Sequence, residues 1–130
     1  HNMALIDRTA GNFHYEQAQQ AARDLLVTQD KPHPVVVAND HMAFAAMDVV
    51  RFELGLRIPE DVSFVGYDDV ALAAWPSYDL TTVRQPANRM VTETVQMLLA
   101  RIDNPDAEPR RVSIDGPLII RGSAKQPEGT

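Results

Sequence analysis

Two polar side chains stand directly after short apolar runs. Asn39 follows Val35-Val36-Val37-Ala38, and Asp68 follows the run from Val62 to Tyr67. In open α/β sheets, ligands bind outside the carboxyl ends of the strands. If the two runs are neighbouring strands, both side chains open onto one crevice. An amide donates and accepts hydrogen bonds, and a carboxylate accepts them. The pair therefore suits a neutral, hydroxyl-rich ligand. Helix capping is the alternative reading of Asn39-Asp40 and Asp68-Asp69, and one residue of each pair can cap while the other faces a ligand. Phe13 precedes an amphipathic segment. Its ring suits stacking on the apolar face of a sugar or base, or packing as a hydrophobic staple. Trp75 and Tyr78 flank Pro76 in a loop, where large aromatics serve as interface anchors or fold onto their own core.

Catalysis finds less support. Asp68 and Asp69 are adjacent on an extended segment and point to opposite faces, so they do not read as a cooperating acid/base pair. The histidines at positions 1, 14, 33 and 41 show no metal-ligand spacing, and no Gly-x-Ser-x-Gly, P-loop or Gly-x-Gly-x-x-Gly run occurs. Without cysteine, thiol nucleophiles, disulfides and cysteine ligands are excluded. The reading is of a non-enzyme with no catalytic residue, no metal site and no cofactor.

The elements that must position these residues follow from periodicity. Ala18, Ala21, Ala22, Leu25 and Leu26 give one apolar helical stripe between Tyr15 and Gln29. His14 stands at its cap position with Gln17 three residues on, half of a capping box. Lys31-Pro32-His33-Pro34 stops that helix. Val35 to Ala38, apolar throughout, reads as a parallel strand covered on both faces. A helix from about His41 to Leu54 carries Met42, Ala45, Ala46, Val49 and Val50, and Gly55 ends it. Val62 to Tyr67 is the second strand, Val70 to Ala74 a helical turn, and Thr81 to Arg84 a third, β-branched strand. Pro86 opens a long helix to about Ile102 with Ala87, Val91, Val95, Leu98, Leu99 and Ile102 on one face. Arg111–Ile114 and Leu118–Arg121 read as two last strands, and the tail from Ser123 as frayed. Helices alternating with short apolar strands predict a three-layer α/β/α fold with a mainly parallel sheet.

Composition sets the outer bounds. The chain has 130 residues with 12 basic and 18 acidic, a net charge of −6, and a pI near 5.0. A freestanding nucleic-acid binder carries a basic face, so direct DNA contact by this chain is disfavoured. No run approaches a membrane span, and no signal segment is evident at the start. His1-Asn2-Met3 reads as a vector remnant or truncation point.

Four motifs, in order, resemble the lactose/purine repressor family of bacterial transcription regulators. They are Val37-Ala38-Asn39-Asp40-His41-Met42-Ala43, Leu54-Gly55-Leu56-Arg57-Ile58-Pro59-Glu60-Asp61-Val62-Ser63, Val65-Gly66-Tyr67-Asp68-Asp69, and Leu80-Thr81-Thr82-Val83-Arg84-Gln85-Pro86. The closing Leu118-Ile119-Ile120-Arg121-Gly122-Ser123 is similar as well. The resemblance implies a periplasmic-binding-protein-like type I fold in a cytoplasmic regulator whose DNA-binding headpiece lies outside this chain. Residues 1–10 would be an entry segment, 11–123 the C-terminal part of the effector-binding domain, and 124–130 a frayed tail. Elements within 80–117 would cross to the other lobe. Asn39, Asp68 and Phe13 match effector-contacting positions, for a carbohydrate or nucleobase-class molecule. Phe44, Met47, Trp75 and Tyr78 become homodimer candidates, with ordinary core as the alternative for Phe44 and Met47. A periplasmic sugar-binding transport component is the rival reading. Without its partner lobe, the helix after Pro86 is expected to pack on the remaining sheet, dock on another chain, or swap between protomers.

Overall fold

The computed structural model describes residues 7–27 and 34–126. The expected helix end at Gln29 and the Lys31-Pro32-His33 stop lie outside them, as do residues 1–6 and 127–130. The order is α1 (Tyr15–Leu26), β1 (Pro34–Val36), α2 (Asp40–Asp48) running into a π-turn (Val49–Glu53), β2 (Ser63–Asp68), a 3₁₀ turn (Ala71–Ala74), β3 (Thr81–Arg84), α3 (Ala87–Asp103) and β4 (Leu118–Ile119). One sheet runs β1-β2-β3-β4. β1 pairs parallel with β2 and β2 parallel with β3, while β4 runs antiparallel to β3. The mainly parallel α/β expectation holds.

Ala18, Ala21, Ala22 and Leu26 of α1 are buried, as the stripe predicts. With the buried positions of α2, the π-turn, Val62, Phe64, Ala73 and Leu80, they form the core. Full burial of each larger aliphatic or aromatic side chain contributes about 1.5–3 kcal/mol. Gly66 and Thr82 face the same buried carboxylate, Asp40, so that side of β2 and β3 is the one α2 covers. A Cβ at Gly66 would stand 2.3 Å from Asp40 Oδ1, so only glycine lets helix and strand approach this closely.

Several expectations change. Among the described residues β1 is the sheet edge and is not covered on both faces, with Val36 78% exposed. No strand forms at Arg111–Ile114, and the last strand shortens to Leu118–Ile119. Ser123 is not frayed. It is 1% exposed, its Oγ donates to Phe64 O (2.7 Å) and accepts from Thr81 N (2.8 Å), and its backbone bonds Phe64 and Asp79. A small hydroxyl residue inside the sheet has pinned what polar composition marked as tail. α3 does not pack on the remaining sheet, because none of its residues is buried and Val91, Val95, Leu98, Leu99 and Ile102 stay exposed.

α1 and α2 are joined by Tyr15 Oη, which donates to Asp48 Oδ2 at 2.8 Å. That hydrogen bond, with some desolvation, pushes the Tyr15 phenol from 10.0 up to about 12. A raised acid contributes stability below its unfolded value and loses it as pH rises through the folded one. The contact is therefore expected to be intact at pH 9 and to weaken between pH 10 and about 12. Phenolate absorbance should show two tyrosines titrating above the ordinary value, Tyr15 and Tyr78, the latter pushed up by burial, and Tyr15→Phe should remove the step near 12. A step near 12 that survives in the variant would assign it elsewhere.

Candidate functional site

β1 and β2 are parallel neighbours, so their carboxyl ends share one edge. Asn39 and Asp68 each lie three residues beyond the register pair Val36↔Val65. Val37 N–H donating to Val65 O at 2.8 Å carries the pairing one step toward them. Asn39 thus follows the end of β1, and Asp68 closes β2, so both lie at the carboxyl edge of the paired strands.

Asn39 is the N-cap of α2. Its Oδ1 accepts from Met42 N at 2.9 Å. The capping reading is correct for its oxygen, while among the described residues its Nδ2 donates no hydrogen bond. Asp40 does not cap. It is fully buried and accepts from Thr82 Oγ1 (2.6 Å) and Val70 N (3.0 Å), tying α2 to β3 and to the segment after β2.

Asp68 and Asp69 part as expected, toward different partners. The Asp68 carboxylate accepts from Gln85 Nε2, and its carbonyl from Gln85 N at 3.4 Å. Asp69, with a side chain 4% exposed, is held by Arg84 Nε (2.5 Å) and Arg121 Nη2 (2.7 Å). Burial pushes the Asp69 carboxyl up, but the hydrogen bonds from Arg121 and Arg84 outweigh it and hold it below its ordinary value. Both aspartates have positive φ, +125° and +59°. Non-glycine residues there carry strain of order 1–3 kcal/mol each, and the ion triad at Asp69 is what holds the turn. Motif reading missed Gln85 and Arg121 because their partners are 17 and 52 residues away.

Phe13 sits at φ +58° just before α1 and is 73% exposed, so it is no staple. His14 makes no side-chain cap, and Gln17 instead accepts from Asn12 Nδ2. Phe13 lines a groove of about 700 Å³ between residues 7–10 and β1, floored by α1 and Phe64. The groove reaches Val37 and Ala38, directly before Asn39, and does not include Asn39 or Asp68. It is an apolar trough beside the open edge rather than the polar crevice.

The interface candidates divide. Phe44 (3% exposed) and Met47 (0%) belong to the core, Phe44 stacking on Tyr78 at 4.2 Å, so this structure gives neither a surface for a partner to reach. Tyr78 is half-buried by that contact, and Trp75 is 55% exposed. Among the described residues no group of three or more His, Cys, Asp or Glu could hold a metal ion, and no helix is long and apolar enough to cross a membrane.

The match that decides the family spans nearly the whole chain: residues 3–124 fit the periplasmic binding protein-like domain. The chain belongs to that family. Its relatives are regulators of the lactose/purine repressor type. This periplasmic-binding-protein-like domain is 38% identical, over 116 residues, to the HTH-type transcriptional repressor PurR of Vibrio vulnificus, covering 89% of the chain and 34% of the repressor. It superposes on the transcriptional regulator CelR–cellobiose complex with a TM-score of 0.78 at 37% identity, covering 86% of this chain and 34% of that one. A ribose-bound LacI family regulator from Enterococcus faecalis gives 0.74 at 31% identity, over 86% and 41%. The domain therefore spans about a third of the length of the curated relatives it matches.

Proposed function

We propose that this domain is the effector-sensing part of a cytoplasmic bacterial transcription regulator and supplies one wall of a small-molecule cleft. The carrying observation is that Asn39, just past the end of β1, and Asp68, the last residue of β2, both lie at the carboxyl edge of neighbouring parallel strands. Asn39 Nδ2 donates and Asp68 accepts, so a neutral polyol fits: a carbohydrate, or the polar rim of a nucleobase. The exposed Phe13 ring provides a stacking face at the same end of the fold. The regulator relatives, one solved with cellobiose and one with bound ribose, support a sensor over a transport component. DNA contact belongs to parts beyond this acidic chain, and effector acts by favouring one arrangement of the lobes. A homodimer contact at Trp75, beside Tyr78, belongs to the same reading.

The test is calorimetric titration of mono- and disaccharides and purine bases into the regulator that carries this domain. Asp68→Ala removes a charged hydrogen bond worth about 1.5–3 kcal/mol, so the affinity for the ligand found is expected to fall roughly 10- to 100-fold. An unchanged affinity would sink the assignment. The isolated 130-residue chain, holding one wall, is expected to bind the same ligand weakly or undetectably, and a micromolar dissociation constant would contradict this.

A further inference from the structure

We propose that Gln85 is a positioning residue for the Asp68 carboxylate and that this pair ties the ligand edge to the start of α3. The inference deepens the reading of Asp68 as a ligand group.

Gln85 grips Asp68 at two points. Its side-chain Nε2 donates to Asp68 Oδ1, and its backbone N–H donates to the Asp68 carbonyl at 3.4 Å. A carboxylate has about four lone-pair sites on two oxygens. One donor fixed on Oδ1 sets the plane of the group and leaves Oδ2 to accept from a ligand hydroxyl. Asp68 needs such a hold, because its φ of +125° is a conformation that few side-chain-bearing residues adopt unaided.

The grip falls where the chain leaves the sheet. Asp68 is in register with Arg84, the last residue of β3. Arg84 is fastened to Asp69, and Gln85, next in sequence, to Asp68. Beyond them Ala87 begins α3, and α3 contributes no buried residue to the fold. These contacts, with the Arg84 N–H donating to Pro117 O at 2.9 Å, thus set the course of the chain into α3. A ligand that draws on Asp68 and a shift at the start of α3 act on the same amide–carboxylate bond, and linkage makes the effect reciprocal.

The experiment needs no ligand, so it can succeed where Asp68 contacts none and fail where it does. The 130-residue chain is compared with Gln85→Ala, Gln85→Glu and Asp68→Ala by NMR and amide hydrogen exchange. In the parent, the Gln85 side-chain amide is expected to resonate away from the free-amide position, and to move to it in Asp68→Ala. Exchange over residues 84–92 is expected to rise about tenfold in Gln85→Ala. Gln85→Glu, of equal length but without the donor, should match or exceed it. The combination of Gln85→Ala with Asp68→Ala should add nothing to either alone. Protection over residues 40–48 and 63–67 is the control that the fold persists. A Gln85 amide at the free position in the parent, Gln85→Glu behaving as the parent does, or additive effects of the two alanines would overturn the positioning role.

Discussion

Replacing Asp40 by alanine is expected to lower the free energy of unfolding by about 3 kcal/mol or more, read from urea melts of parent and variant. The carboxylate is fully buried and accepts from Thr82 Oγ1 and Val70 N. Alanine leaves both donors facing a space the chain cannot flood with water, and an orphaned buried donor costs far more than a lost surface contact. The void also lies against Gly66, whose missing side chain cannot fill it. Asp40→Asn keeps the shape and one acceptor, so it should fall between the two. A loss below about 1 kcal/mol in Asp40→Ala would show that water or a shifted α2 replaces the carboxylate.

Phe64→Ala is expected to cost about 3–5 kcal/mol, the range for deleting a buried aromatic ring. Phe64, the second residue of β2, is fully buried and bridges the core on one side and the groove beside β1 on the other. Its backbone is held independently, N–H by Ser123 O and carbonyl by Ser123 Oγ, so the strand cannot collapse into the space the ring leaves. Thermal unfolding of the variant tests it, and a change within about 1 kcal/mol would mean that neighbouring side chains repack into the hole.

What the sequence made legible was local. Helical spacing located α1 and the body of α2, and apolar runs located β1 and β2, because burial of one stripe or one short strand is written within a dozen residues. The edge placement of Asn39 and Asp68 followed from those elements alone. What stayed hidden depended on partners far along the chain. Nothing near Asp40 announces a buried acceptor, since its donors are 42 and 30 residues away. Ser123 looked like tail for the same reason, its bonds reaching back 42 and 59 residues. Arg111–Ile114 carried strand-like residues but had no strand to pair with. Phe44 and Met47 were readable as interface or core, and only the packing of Tyr78 and the helices decided for core.

The short first strand bears on how the molecule behaves in concentrated solution. An unpaired strand edge is a template on which other chains add, and long, flat, apolar edges nucleate fibrillar stacking. Among the described residues β1 presents such an edge, but it is three residues long and begins with Pro34, which has no N–H to offer. Its outer rim therefore carries too few donors and acceptors to register a neighbouring strand. Whatever stickiness the exposed Val36 side chain confers stays unpatterned, and an ordered β-stack is not expected to grow from this edge.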